Sequence, residues 1–202
     1  MLDKLNIFED VEHEHLNYNA PDGEVTPDHV IDYALPSLFY EKGYTNVLIL
    51  DVDCIPLSSF AIDYTFNKSL HGSLIGNAQR SNHLDNGKHV FCGASCIAFS
   101  RDTFEKMGRP SSTVTNRSDI CEEFAWICED KNIPVEFFMP SSYEQLPYNE
   151  DKPWPLADDM PEYGIGTTFN NSDGIPMFYH LFQSRLNLHV PLFIDKCNAI
   201  LK

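Results

Sequence analysis

Val47-Leu48-Ile49-Leu50-Asp51-Val52-Asp53 is the stretch on which the reading of this chain turns. Four apolar residues in succession suit a short strand buried on both faces, the kind found in parallel sheets covered by helices. Two acids follow at the end of the run. In open α/β sheets, ligands bind beyond the carboxyl ends of the strands. Side-chain alternation along the strand turns Asp51 and Asp53 to the same side. Adjacent carboxylates repel one another unless a cation lies near them. Hard oxygen donors suit magnesium or manganese, ions that keep open positions for water and substrate phosphates. The same pair also suits a purely structural role, capping a helix or a turn at a strand end.

Working outward, Thr26 is placed as an N-cap, Pro27 fits the first helical position and Asp28 suits the positive helix end. Val30, Ile31, Ala34, Leu35, Leu38 and Phe39 then form an apolar stripe at helical spacing that stops at Gly43. Pro36 should kink this helix, because it lacks an N–H and crowds the preceding turn. Further helices are expected over 58–67, 101–107, 119–131 and 190–201. Ser100 should cap the second of these, and Gly108 should close it. Strands are expected over 73–77, 94–99, 135–138 and 177–182. From 141 to 174 prolines, glycines and acids dominate, which predicts a long irregular excursion able to act as a loop or lid. Alternating strands and helices make a single α/β domain over 1–202 the expected architecture.

Thirty acidic against fourteen basic residues leave a formal net charge of −16. That field repels phosphate backbones and anionic lipid, which argues against nucleic-acid or membrane-surface partners. An anionic small molecule would then need a local positive charge, which a bound divalent ion supplies. No apolar signal core opens the sequence and no run is long enough to span a bilayer, so a cytoplasmic protein is expected. The six cysteines lack zinc-ribbon spacing, and several lie in apolar runs; they read as reduced, mostly buried thiols. His13 and His15 have no third ligand near them in the sequence and suit a solvated edge.

The segment from Val47 to Leu57, ending Asp51-Val52-Asp53-Cys54-Ile55-Pro56-Leu57, resembles the Asp-x-Asp strand of GT-A glycosyltransferases. Cys92-Gly93-Ala94-Ser95-Cys96, running on to Arg101-Asp102-Thr103-Phe104, is similar to that family's glycine-led strand and the helix after it. Phe178-Tyr179-His180-Leu181-Phe182-Gln183-Ser184-Arg185 is similar to its C-terminal histidine segment. The three occur in family order. The resemblance implies a mixed, mostly parallel, Rossmann-like central sheet flanked by helices. It also implies metal ligation by Asp51, Asp53 and His180, with manganese favoured over magnesium because one donor is an imidazole. Asp51 would in addition touch the donor ribose, while His29 and Asp32 would lie on a helix that meets the nucleotide. Arg185 suits either a diphosphate contact or a surface ion pair. The catalytic base would be Asp119, Glu122 or Glu123. Asp119 and Glu122 fit a capping box equally well. The donor implied is a nucleotide-diphosphate sugar, a uridine-diphosphate sugar by default, and the acceptor a hydroxyl of a glycan or similar molecule, resting on residues 93–95. The segment ahead of Asp51 is short for that family's nucleotide-binding half, so an abbreviated N-terminal portion is expected.

Two other readings remain open. A haloacid-dehalogenase-type phosphatase also places Asp-x-Asp after a buried strand, and Ala157-Asp158-Asp159 echoes its late acidic motif, although Ile55 stands where that family has Thr or Val. A module that binds a sugar or nucleotide without turning it over is the other.

Overall fold

A computed structural model describes residues 12, 26–81, 89–144, 147–149, 152–153, 165–182 and 189–201. In chain order these form α1 (Pro27–Pro36), β1 (Asn46–Leu50), β2 (Cys54–Pro56), α2 (Ser59–Leu70), β3 (Leu74–Arg80), β4 (Val90–Ser100), α3 (Arg101–Met107) and α4 (Glu122–Lys131). There follow β5 (Val135–Ser142), β6 (Pro147–Asn149), β7 (Lys152–Pro153), β8 (Thr167–Asn170), β9 (Pro176–His180) and α5 (Val190–Ile200). Arg185, His13, His15 and the Ala157-Asp158-Asp159 motif lie outside the described residues.

The local signals are realised with small changes. Thr26 is the extended N-cap of α1 with Pro27 at its first position, but the Thr26 hydroxyl meets His29 Nδ1 at 3.0 Å rather than a backbone N–H. Pro36 does not break the chain. The five residues after it, Ser37–Glu41, widen into a π-helical turn in which Lys42 N–H donates to the Ser37 carbonyl at 2.9 Å. The disturbance expected at Pro36 thus takes the form of a helix widened by one residue, a feature at which helices bend. In α3 the Ser100 hydroxyl accepts from Thr103 N–H at 3.1 Å, and Gly108, at φ 93°, closes the helix in the left-handed conformation.

The sheet is the main correction. The pairings β3/β4, β5/β8, β8/β9 and β2/β9 are all antiparallel. The expected GT-A-like, Rossmann-like, mostly parallel sheet is therefore absent, and a mostly antiparallel one stands in its place. The physical reason lies in the connections. The spans from Arg80 to Val90 and from Asn170 to Pro176 are shorter than the crossover of a dozen or more residues that parallel neighbours need, so each pair folds back antiparallel. The stretch 141–174 is likewise not wholly irregular. β5 runs on to Ser142, β8 arises inside the stretch, and β6 pairs with β7.

The chain divides into two compact units. One holds residues 26–49 and Tyr64–Phe137, with strand order β1-β4-β3. Its core packs Leu35, Phe39, Leu74, Ile97, Phe99, Phe104, Phe124 and Cys128. Between the pairs Gly76–Ile97 and Ala78–Cys92 the register shifts, leaving residues 93–96 of β4 opposite Asn77 alone. Two glycines make this bulge possible. A Cβ on Gly76 would lie 2.2 Å from the Cys96 carbonyl oxygen, and one on Gly93 would lie 2.3 Å from Gln79 Oε1. The other unit holds Leu50–Asp63 and the described residues from Phe138 onward, with strand order β5-β8-β9-β2. Its core gathers Ile55, Ile165, Tyr179, Leu181 and Cys197. All six cysteines are free and buried, as expected. Among the described residues no helix is long and apolar enough to cross a membrane.

Candidate metal centre

Asp51, Asp53 and His180 come together in the second unit: one potential ligand atom from each lies within 4.8 Å of those of the other two. The route to this arrangement differs from the one expected. β1 stops at Leu50, and Asp51 opens a turn closed by Cys54 N–H donating to the Asp51 carbonyl at 3.0 Å. The two acids therefore meet across a turn rather than by strand alternation. His180 arrives from 127 residues away through the antiparallel register of β2 with β9, in which Cys54 stands opposite His180. One more backbone bond, Leu181 N–H to the Asp53 carbonyl at 3.0 Å, ties the turn to the end of β9.

His180 is buried, while Asp51 and Asp53 are half-buried. His180 Nε2 stands 3.1 Å from Asp53 Oδ1. Two neighbouring donors on an octahedral ion with bonds near 2.1 Å would be separated by about 3.0 Å. The other ring nitrogen, Nδ1, is buried without a hydrogen-bond partner, and the face of the ring is covered by Phe182 at a centroid distance of 3.9 Å. Burial, reinforced by the Asp53 carboxylate and opposed by His180, pushes the Asp51 carboxyl up to about 6. A half-buried acid driven toward neutrality and a buried nitrogen without a partner are costs carried by the folded chain. A divalent cation would offset the first directly, by removing the repulsion between the carboxylates. Two carboxylate oxygens and one imidazole form a donor set suited to manganese and related ions. The residues present therefore fit a divalent metal.

Asp119, Glu122, Glu123, Asp32 and His29 lie in the first unit, each with a defined partner. Glu122 is fully buried. It accepts from Ser81 Oγ at 2.7 Å, from His89 Nδ1 at 2.6 Å and from Asp119 N–H at 2.6 Å. The expected capping box is not formed: α4 starts at Glu122 with Cys121 as its N-cap, and while Glu122 reaches back to the Asp119 N–H, the Asp119 carboxylate takes Ile120 N–H at 2.8 Å. Glu123 accepts from Arg117 Nε at 3.1 Å and from a second Arg117 N–H, and this pair holds its carboxyl below the usual range. Asp32 fastens a loop to α1, accepting at 2.7 Å both from Ser112 N–H and from its hydroxyl, and also from the Ser111 hydroxyl. His29 is bonded to Thr26.

His89 is the residue that the sequence did not announce. It stacks on Trp126 at 3.7 Å with the rings 14° apart, and it bonds a glutamate 33 positions away. Nothing in its local pattern, Lys88-His89-Val90, marks it, because its partners come from another element. Ser111 and Ser112, which engage Asp32, were equally silent.

No protein-family model, curated protein or solved structure matches the chain.

Proposed function

We propose that this chain is a divalent-metal-dependent glycosyltransferase. It would take a sugar from a nucleotide-diphosphate donor, a uridine-diphosphate sugar being the first to try, and pass it to a hydroxyl of a glycan or similar acceptor. The observation that carries the reading is the meeting of Asp51, Asp53 and His180 within 4.8 Å, brought together from segments far apart in the chain. Two features support it further. The net charge of −16 disfavours an anionic donor unless a cation is held locally. The Asp51-Val52-Asp53 stretch and the histidine segment also stand in the order that the resemblance implies.

A manganese or magnesium ion at this centre would supply neutralisation of the leaving diphosphate. The chain's own part is to hold the donor set rigid. The backbone bonds Cys54 N–H to Asp51 and Leu181 N–H to Asp53 fix the turn, so the carboxylates need not reorganise when ligand arrives. Of the three acids offered as proton acceptor, Glu122 is enclosed with three donors and Glu123 is held by Arg117. Asp119 likewise spends its carboxylate on Ile120 N–H at 2.8 Å, so each of the three acids that the resemblance offers as base has a structural partner. Six buried reduced thiols fit a reducing, cytoplasmic setting.

The test is thermal unfolding with manganese and a panel of nucleoside diphosphates, repeated in chelator and with Asp53→Ala. A ligand at about a hundred times its dissociation constant adds roughly 2.7 kcal/mol. Expected is a shift for one nucleotide that disappears with chelator and in the variant, and that donor should then lose its nucleotide on addition of an acceptor. A nucleotide shift that survives both chelator and Asp53→Ala would refute the reading.

A further inference from the structure

The residue between the two acids is the most informative exposed side chain in the second unit. Val52 is 94% exposed, the highest value for a large apolar side chain among the described residues. A single apolar residue on a surface is ordinary and by itself needs no explanation. Val52 differs in three respects. It belongs to a turn, where Gly, Asn, Asp, Ser and Pro dominate and a β-branched side chain is an unusual choice. The turn itself does not call for it, since neither Val52 nor Asp53 has a positive φ and any residue could occupy such a position. Its neighbours on either side are two of the three donors of the metal centre.

Those donors leave the remaining coordination positions of an ion to ligands that arrive from solvent. A phosphate taking one of them would carry its organic group near the turn, and the one side chain between Asp51 and Asp53 is Val52. Fixed at both ends by backbone bonds, the turn presents that side chain without further ordering cost.

We propose that Val52 is a specificity-determining contact, packing against the organic group carried by a metal-bound phosphate. The inference rests on the metal-centre reading above. Its ligand class is an organic phosphate or diphosphate, with inorganic pyrophosphate as the reference that lacks the organic part.

The experiment measures binding of inorganic pyrophosphate, uridine diphosphate and glucose 1-phosphate to the manganese-loaded full chain, for the wild type, Val52→Ser and Val52→Ile. Removing a partly covered valine surface should weaken an organic ligand by about 3- to 10-fold. Val52→Ser should show that loss for uridine diphosphate or glucose 1-phosphate, and whichever falls identifies the side of the donor that lies on the turn. Pyrophosphate and manganese affinities should stay unchanged, and Val52→Ile should bind organic ligands at least as well as the wild type. An equal loss for pyrophosphate would mean that the substitution disturbs the turn, and it would overturn the proposal. So would unchanged affinity for both organic ligands. Failure of the wild type to bind manganese or pyrophosphate is a different result: it removes the metal centre itself, and the role of Val52 with it.

Discussion

Asp51 carries a cost that substitution should remove. Its carboxyl is pushed from the usual 3.8 up to about 6, chiefly by burial and next by the charge of Asp53. Each pH unit between folded and unfolded values corresponds to about 1.4 kcal/mol, so the ceiling is about 3 kcal/mol. Asp51 is only half-buried, and solvent screening reduces that to about 1–2 kcal/mol. The sign follows from proton counting. Between about pH 4 and pH 6 the folded chain holds the proton more tightly than the unfolded chain does, so this group's contribution to stability falls as pH rises through that window. Below it the carboxyl is neutral in both states and the cost vanishes; above it the cost is fully present. Asp51→Asn in chelator at pH 7.5 should therefore melt above the wild type, by about 2–8 °C for a chain of this size. The gap should close as the pH approaches 4. With saturating manganese the order should reverse, since the wild type gains roughly 2.7 kcal/mol at a hundred times its dissociation constant and the variant does not. The assay is a thermal melt under the two conditions across pH. A variant less stable than the wild type in chelator, with a gap insensitive to pH, would refute the view of Asp51 as a strained buried acid. A retained manganese shift would refute its role as a ligand.

Other consequences are more local. Glu122→Ala strips partners from Ser81, His89 and the Asp119 N–H inside the protein and should cost about 3–5 kcal/mol in urea unfolding, with Glu122→Gln costing clearly less; equal, small losses would show that the buried carboxylate is not organising these groups. Gly76→Ala drives a Cβ against a backbone carbonyl, whereas Gly93→Ala meets the end of a flexible Gln79 side chain. The first should cost about 1–3 kcal/mol and the second less, and the reverse ranking in denaturant midpoints would count against the bulge as described. Burial pushes the Cys128 thiol up to about 12 and the Cys92 thiol well above its ordinary value. Both should resist a thiol-specific reagent at pH 8 in the native protein and react at once in denaturant. Ser100→Ala removes the cap on Thr103 N–H and should lower stability by about 1 kcal/mol without altering any metal-induced shift.

What could be read from the sequence was what a few neighbouring residues decide. Ser100 and Gly108 bracket α3 because a cap and a left-handed stop act within one turn. Pro27 opens α1 for the same reason. Pro36 announces a disturbance of the helix by the same local logic, and the structure shows the form it takes, a π-turn over Ser37–Glu41. Direction in the sheet is a different kind of question. Leu50 ends an apolar run whether its neighbours are parallel or antiparallel, and the evidence lay in connections, because no helical pattern separates 73–77 from 94–99. β8 escaped notice because Thr167-Thr168-Phe169-Asn170 is short and sits among turn-forming residues, so only its pairing with β5 and β9 makes it a strand.

The meeting of Asp51, Asp53 and His180 was legible although the sheet was not, and the structure gives the reason. The rule that ligands gather beyond carboxyl ends of strands was applied to a parallel sheet that is not there. The residues themselves still stand at strand ends, since Asp51 follows the carboxyl end of β1 and His180 is itself the carboxyl end of β9. β2 joins the two by starting immediately after Asp53 and pairing antiparallel with β9, which sets Cys54 opposite His180. A slip of one residue in that pairing would turn the His180 side chain to the opposite face of β9 and dissolve the cluster. The centre therefore depends on the register of a three-residue strand, not on the overall direction of the sheet. Substituting Ile55, the buried middle residue of that strand, should accordingly weaken manganese binding without touching a ligand.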